Sequence, residues 1–190
     1  FDDVASHRLA RMLRETVTAI DPVARPVTTD AGTQEADVLV VAPAGAAFTE
    51  INAAVAAAQS GDIVLVKSGT YDHVSICCKS VSIIADAGAT AVEIDGIGIA
   101  NLPAPNTVVL RGLIVPEPTL PELPGFSVTA CTGSVRVEQC SFTGMAGGPP
   151  NWVTGATGYA TDGATVLSSS QVSFAHCTFV GGKGWAGTQE

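Results

Sequence analysis

The sequence predicts an all-β protein, a right-handed parallel β-helix (solenoid) with an N-terminal capping helix and an additional N-terminal amphipathic helix. Three observations lead to this fold class: short strands in a repeated pattern, apolar residues at a constant spacing within each repeat, and a helix placed just before the repeats begin. The 190 residues suffice for one hydrophobic core. We expect an N-terminal helix and linker over 1–36 and a β-helix over 37–190 that lacks a C-terminal cap.

The repeat consists of two three-residue strands separated by two residues. Its copies occupy 108–115, 135–142 and 172–179, and residues 92–99 fit the same template. The first, third, sixth and eighth positions are apolar in every copy. Because side chains alternate across a strand, these four positions face one interior. The two-residue corner needs one residue with unusual dihedral angles. That corner position is occupied in the successive copies by Gly96, Gly112, Gln139 and His176.

Equivalent positions of a solenoid stack on one another, which predicts specific neighbours. Cys140 should lie beside Cys177, and Phe142 beside Phe179. The copies start at residues 92, 108, 135 and 172, and these unequal steps indicate insertions in one loop per turn. A hairpin sandwich would also show alternation, but it would favour Asn-Gly-type reversing turns. We therefore favour the solenoid.

The first 36 residues contain a helical pattern followed by a linker. Residues 4–20 carry apolar side chains at helical spacing, namely Leu9, Leu13, Val17 and Ile20. The segment Asp21-Pro22 ends this predicted amphipathic helix. Residues 22–36 contain Pro, Gly and several Thr residues, which indicates a linker.

A strand and a second helix are predicted before the repeats. Val38–Val41 reads as a short buried strand. A helix follows at about residues 49–59, with Thr49 as its candidate N-cap and Gly61 as its stop signal.

Two segments around that helix resemble a known superfamily. The sequences are Phe48–Ala58, followed by Gly61–Tyr71 with its Gly-Thr-Tyr ending, and Lys79–Asp86 continues the likeness. They resemble the opening of pectin-methylesterase-like and pectate-lyase-like right-handed β-helix proteins. The later Val-x-Val-x-x-Cys-x-Phe-x-Gly turns are similar to the wider repeat group. The resemblance covers about residues 38–182 and implies the fold, a helix capping the coil, and a secreted or cell-surface location.

The catalytic motifs of those enzymes have no counterpart here. The paired aspartates, Arg and Gln of pectin methylesterases are missing, and so are the calcium-binding acidic cluster and basic residue of pectate lyases. The acidic residues near the repeats are scattered: Asp86, Glu93, Asp95, Glu117, Glu122 and Glu138. Glycoside hydrolysis needs two facing carboxylates, and the repeat alignment yields no such pair. We therefore expect no catalytic residue, no metal site and no cofactor.

The net charge limits which partners are expected, and the cysteine spacing limits which metal and redox chemistry is expected. Lys and Arg number 9 against 18 Asp and Glu, a net charge of −9 that disfavours nucleic acid. No apolar stretch is long enough for membrane insertion. The five cysteines lack zinc-site spacing, and their disulfide state stays open: Cys77, Cys78, Cys131, Cys140 and Cys177.

Two groups of residues are candidate binding sites. The insertion 144–163 contains Trp152, Tyr159 and Asp162, which suit stacking on a sugar and hydrogen bonding to its hydroxyls. The preferred alternative is that both aromatic residues cover the coil. A polar edge consists of Arg111, Arg136, Glu138 and His176. A surface ion pair of about 0–1 kcal/mol is the preferred interpretation of that edge.

Three classes of function remain open. We favour a non-catalytic extracellular module that recognises carbohydrate or serves as a surface scaffold. The alternatives are a carbohydrate-active lyase, esterase or hydrolase whose catalytic turns are missing or unrecognised, and a purely structural self-assembling element. The expected partners are a polysaccharide and, through the predicted uncapped C-terminal end, a second copy or the rest of a longer parent chain.

Overall fold

The computed structural model describes residues 17–20, 26–29, 32–35, 38–117, 125–146 and 160–183. Strands β1 (Val17–Ile20), β2 (Pro26–Thr29) and β3 (Gly32–Glu35) form a three-stranded antiparallel sheet. The predicted helix over 4–20 is therefore wrong at its C-terminal end, and its remainder lies outside the described residues. Strands also occupy much of the predicted linker. The reason is local, since valine, isoleucine and threonine are abundant here and favour extended backbone.

The rest of the described chain is a parallel β-solenoid built from three sheets. Sheet 1 contains β4 (Val38–Val41), β5 (Asp62–Val66), β8 (Val81–Ala85), β11 (Thr107–Arg111), β14 (Ser134–Glu138) and β17 (Val172–Ala175). Sheet 2 contains β6 (Gly69–Tyr71), β9 (Val92–Ile94), β12 (Ile114–Val115), β15 (Ser141–Thr143) and β18 (Thr178–Val180). Sheet 3 contains β7 (Val74–Cys77), β10 (Ile97–Ala100), β13 (Phe126–Thr129) and β16 (Ala164–Leu167).

Three of the four predicted repeat copies stack in the predicted register. Val108 pairs with Val135, and Val135 pairs with Val172. Phe142 pairs with Phe179, as expected, and their rings stack with centroids 5.6 Å apart.

The fourth copy, residues 92–99, is displaced by one sheet. Its first strand, β9, belongs to sheet 2 and pairs with β6, while its second strand, β10, belongs to sheet 3. The apolar spacing across the corner between sheets 2 and 3 equals the spacing across the corner between sheets 1 and 2. The pattern therefore predicts which side chains point inward. It does not determine which two of the three sheets a copy joins.

Two columns of left-handed residues turn the chain at its corners. Gly112 (φ 72°), Gln139 (φ 53°) and His176 (φ 53°) form the predicted column between sheets 1 and 2. A second column follows the strands of sheet 3 and consists of Cys78, Asn101, Ala130 and Ser168, with φ from 50° to 66°. This second column was not predicted from the sequence, because none of its members is glycine.

Gly96 has a different role from the one predicted. It is not among the residues with positive φ. A Cβ atom at this position would lie 2.8 Å from Cδ2 of His73, so a side chain there would collide with the imidazole. At this position the absence of a side chain lets the His73 imidazole approach the backbone closely.

The core consists of the inward-facing side chains of the three sheets. Val64, Ile83, Leu110 and Val137 follow one another on sheet 1 and are fully buried. In β4, Leu39 and Val41 are buried, whereas Val38 and Val40 are 43% and 37% exposed. The predicted strand exists, but its expected full burial is wrong because one of its faces is open.

Helix α1 (Ile51–Ala57) packs against β4, β5 and β7 through Ile51, Ala54 and Val55. It begins later than predicted, and Glu50 rather than Thr49 is the N-cap residue, without a side-chain hydrogen bond. Lys79 Nζ donates to the carbonyl oxygens of Val55 and Ala58, at 2.5 and 2.8 Å. These bonds satisfy carbonyl groups that the helix end leaves without intrahelical partners.

The last described turn has an open interior. Val166, Phe174 and Phe179 occupy inward positions, as their register with Val128, Val137 and Phe142 shows. Phe174 and Phe179 are nevertheless 38% and 45% exposed. The stack of described turns thus presents apolar side chains at this end.

Candidate functional site

The first predicted site falls largely outside the described residues. Trp152 and Tyr159 both lie outside them. Asp162 is described and exposed, and it immediately precedes Gly163 at the start of the last turn. Its backbone lies close to Gly144, where an added Cβ atom would be 2.8 Å from the carbonyl carbon of Asp162.

The structure places the residues of the predicted polar edge in neighbouring turns. Arg111 pairs in register with Glu138, as the repeat predicted. Its side chain, however, donates from Nε to Oε1 of the neutral Gln139, at 3.2 Å. Arg136 is exposed and pairs in register with Ser173, and His176 is exposed at the corner of the following turn. This edge is a solvated surface with a charged-to-neutral hydrogen bond.

A shallow groove of about 210 Å³ runs over the outer face of sheet 3. Two rows of outward side chains cross its strands from turn to turn. One row is Ser75, Gly98, Ser127 and Thr165, and the other is Cys77, Ala100, Thr129 and Leu167. The groove itself is lined by the first three members of each row, together with Ile76 and Ile99. We call this surface the sheet 3 groove.

His73 lies at one side of the sheet 3 groove, just before β7. A Cβ atom at Gly98 would lie 3.5 Å from Cε1 of His73 and 3.6 Å from Oγ of Ser127. The imidazole and the hydroxyl therefore flank the glycine, and the missing side chain leaves the floor open between them. An imidazole can both donate and accept hydrogen bonds when neutral.

Asn52 of helix α1 fixes the edge of the groove. Its Nδ2 donates to the carbonyl oxygen of His73 at 2.6 Å, and its Oδ1 accepts from the backbone N–H of Ser75 at 3.1 Å. Strand β7 is an edge strand of sheet 3, and the Asn52 amide satisfies backbone groups that a further strand would otherwise bind. The positions of His73 and Ser75 are thereby held.

The groove is lined by hydroxyl and small side chains together with apolar surface. Its described lining offers the hydroxyls of Ser75, Ser127 and Thr129, the thiol of Cys77, and the small Gly98 and Ala100, and includes no carboxylate. Hydroxyl groups donate and accept equally well. Small side chains let a flat ligand approach the backbone closely.

Sequence reasoning missed this site because it followed the inward positions. The available signal was a run of small or hydroxyl side chains at the outward positions of three successive strands, Ser-x-Cys, Gly-x-Ala and Ser-x-Thr. Only the register of β7, β10 and β13 brings them into one surface.

The cysteines of the described chain are free thiols. Cys140 Sγ donates to the carbonyl oxygen of Glu138 at 3.2 Å, and Cys177 Sγ donates to that of Val137 at 3.4 Å. Burial raises the pKa of the Cys140 thiol to about 11. This thiol is a core side chain and not a nucleophile, because the thiolate is the reactive form.

Asp86 and Tyr71 also have perturbed pKa values. A hydrogen bond from Lys67, 2.5 Å from Oδ2 of Asp86, lowers the pKa of that carboxyl group. Burial, with a smaller contribution from Glu50, raises the pKa of Tyr71, whose hydroxyl donates to the Lys67 carbonyl oxygen. Both groups stabilise the first turns of the coil.

Comparisons with known proteins identify no relative of this chain. No protein-family model matches the sequence, and comparisons with curated proteins and with solved structures give no match. Within the described ranges, no three or more His, Cys, Asp or Glu side chains are grouped so that they could hold a metal ion. None of the helices described here is both long and apolar enough to span a membrane.

Proposed function

We propose that this protein is a non-catalytic carbohydrate-recognition module that binds an extended polysaccharide along the sheet 3 groove. The observation that carries the proposal is the continuous row of hydroxyl and small side chains across β7, β10 and β13. Adjacent strands lie about 4.8 Å apart. This spacing is close to the length of one sugar residue in an extended chain, so that successive sugars meet equivalent side chains.

The groove favours binding over bond cleavage. Cleavage of a glycosidic bond commonly uses two facing carboxylates, and the described lining of the groove contains none. His73 is the titratable imidazole nearest the groove floor, where it can orient a sugar hydroxyl. We further propose that the coil is a right-handed member of the pectate-lyase-like superfamily. In this proposal, the module acts outside the cell or on its surface.

The experiment is a glycan array and polysaccharide pull-down with the whole chain and with Gly98→Leu. The added Cβ of Gly98→Leu would meet His73 and Ser127 at ordinary contact distances, and the rest of the side chain would fill the groove. We expect binding to fall by about tenfold or more, corresponding to the loss of about 1.4 kcal/mol. Gly88→Leu is the matched control, since Gly88 is exposed and lies outside the groove lining.

Three results would contradict or redirect the proposal. Unchanged binding in Gly98→Leu removes the groove as the site. Binding lost instead in Trp152→Ala supports the insertion 144–163, with Tyr159 and Asp162, as the recognition site. Depolymerisation of any polysaccharide by the purified chain contradicts the non-catalytic assignment and supports the carbohydrate-active enzyme.

A second candidate function is self-association through the last described turn. The half-exposed Phe174 and Phe179 support it, together with the strands β16, β17 and β18, which end their sheets in parallel register. A second copy of this chain, stacked on that turn, would bury these rings and pair the open strand edges. Light scattering should show a mass that rises with concentration and falls in Phe179→Ser. A constant monomer mass over the same concentration range contradicts this candidate.

A further inference from the structure

Two consecutive cysteine side chains are exposed at the corner that follows β7. Cys77 is the last residue of the strand, Cys78 follows it, and both are exposed free thiols. Adjacent side chains of an extended strand point to opposite faces, which would keep such thiols apart. Cys78 instead has a left-handed backbone, with φ of 66°. Both side chains are exposed, so the two thiols lie on the solvent side of the corner. The interaction with the neighbouring Cys77 thiol raises the pKa of the Cys78 thiol.

The backbone on both sides of this thiol pair is anchored. Asn106 Nδ2 donates to the carbonyl oxygen of Cys78 at 3.1 Å. The next residue, Lys79, is bound to the C-terminal end of helix α1 through the carbonyl oxygens of Val55 and Ala58. Because these contacts fix the corner, little conformational freedom remains to be lost when a ligand joins the two sulfur atoms.

We propose that Cys77 and Cys78 form a two-thiolate chelating site for a soft, thiophilic metal or metalloid ion. Thiolates are soft ligands that select soft ions over hard ones. No third or further His, Cys, Asp or Glu side chain of the described chain completes a cluster here. The site therefore suits an ion that needs two sulfur ligands and carries its remaining substituents itself, as trivalent arsenic with one organic group does.

Phenylarsine oxide is the probe that matches this site. Two arsenic–sulfur bonds form, the arsenic–oxygen bond breaks, and the two thiol protons leave with the oxygen as water. No oxidation state changes, so the step needs neither an oxidant nor a reductant. The proposal rests on the thiol pair and does not require carbohydrate recognition, although Cys77 also lines the sheet 3 groove.

The test uses the whole chain, kept reduced with a phosphine, and intact-mass measurement during titration with phenylarsine oxide. We expect one adduct per chain that resists excess monothiol and is removed by a small 1,2-dithiol. In Cys77→Ser and Cys78→Ser the remaining thiol binds alone, and the affinity should fall by about 10²-fold or more. Cys177→Ser is the matched control, because Cys177 is a partly buried thiol in the last described turn, and it should retain the adduct.

Cys78→Gly provides a second variant whose backbone suits the left-handed corner, so that loss of the adduct cannot be attributed to misfolding. Its far-ultraviolet circular dichroism should match that of the parent chain. The proposal is overturned if the adduct persists in Cys77→Ser and in both Cys78 variants. It is also overturned if the reduced chain, with both thiols shown to react with a monofunctional reagent, takes up no arsenical.

Discussion

The turn at 135–142 and the turn at 172–179 follow the same sequence pattern but have different surroundings. Both place an aliphatic residue first, a cysteine sixth and a phenylalanine eighth. Phe142 is fully buried between Phe126 and Phe179, with ring centroids at 4.7 and 5.6 Å. Phe179 is 45% exposed, and Cys177 is less buried than Cys140.

This difference shows that the repeat determines whether a side chain points inward, whereas the neighbouring turns determine how deeply that side chain is buried. The inner turn has a turn packed on each side, whereas the described part of the outer turn is covered on one side only. In a solenoid the stability is approximately a sum of contributions from each repeat and from each interface between neighbours. Identical residues in the two turns should therefore contribute unequal free energies.

The largest effect is expected from truncating the two stacked phenylalanines. Phe142→Ala should lower the free energy of unfolding by about 3–5 kcal/mol, the usual range for a buried phenylalanine. Phe179→Ala should lower it by about half as much or less, because nearly half of its surface already meets solvent. Urea denaturation of the two variants measures the difference. Equal losses would mean that Phe179 is covered in solution.

The buried Cys140 thiol should couple the stability of the chain to pH. The Cys140 thiol has its pKa raised from 9.0 to about 11 in the folded state. Between these values the folded chain holds a proton that the unfolded chain releases. The protonated Cys140 thiol therefore makes its full contribution to the free energy of unfolding below pH 9, and this contribution is lost as the pH rises to about 11. At about 1.4 kcal/mol per pKa unit, the loss is about 2–3 kcal/mol.

Denaturation at pH 8 and at pH 11 tests this coupling. Cys140→Ala should remove about 2–3 kcal/mol of the alkaline loss. The remaining alkaline loss includes Tyr71, whose raised pKa acts in the same direction. An alkaline loss of the same size in Cys140→Ala and in the parent chain would contradict the burial of this thiol.

The smallest effect concerns the second column of left-handed residues. Ala130 has φ of 53°, a conformation that costs an L-residue about 1–2 kcal/mol and costs glycine little. Ala130→Gly should therefore stabilise the chain by up to about 1 kcal/mol, after the entropy that glycine loses on folding is deducted. Ser168→Gly, one turn later, should have a smaller effect in the same denaturation experiment, since outer turns open before the rest unfolds. A destabilised Ala130→Gly would show that this corner is not left-handed.

Much of the coil was predictable because it depends on local rules. Side-chain alternation makes Val135, Val137 and Phe142 point inward whatever lies around them, and the corner between sheets 1 and 2 follows from Gly112 and its equivalents. The candidate sites were less predictable from the sequence than the coil. Trp152 and Tyr159 lie outside the described residues, and the groove itself was not predicted, since outward side chains carry no packing pattern.

The sequence by itself determined the solenoid, the inward face of each repeat and the register of the copies at 108, 135 and 172. Only the tertiary structure decided which two sheets residues 92–99 join, the row formed by Cys77, Ala100 and Thr129, and the exposure of both adjacent thiols at a left-handed corner. The physical reason is that alternation within a strand is a local property of the backbone. Which strands become neighbours depends instead on the lengths and backbone angles of the connecting loops, and no repeated pattern records them.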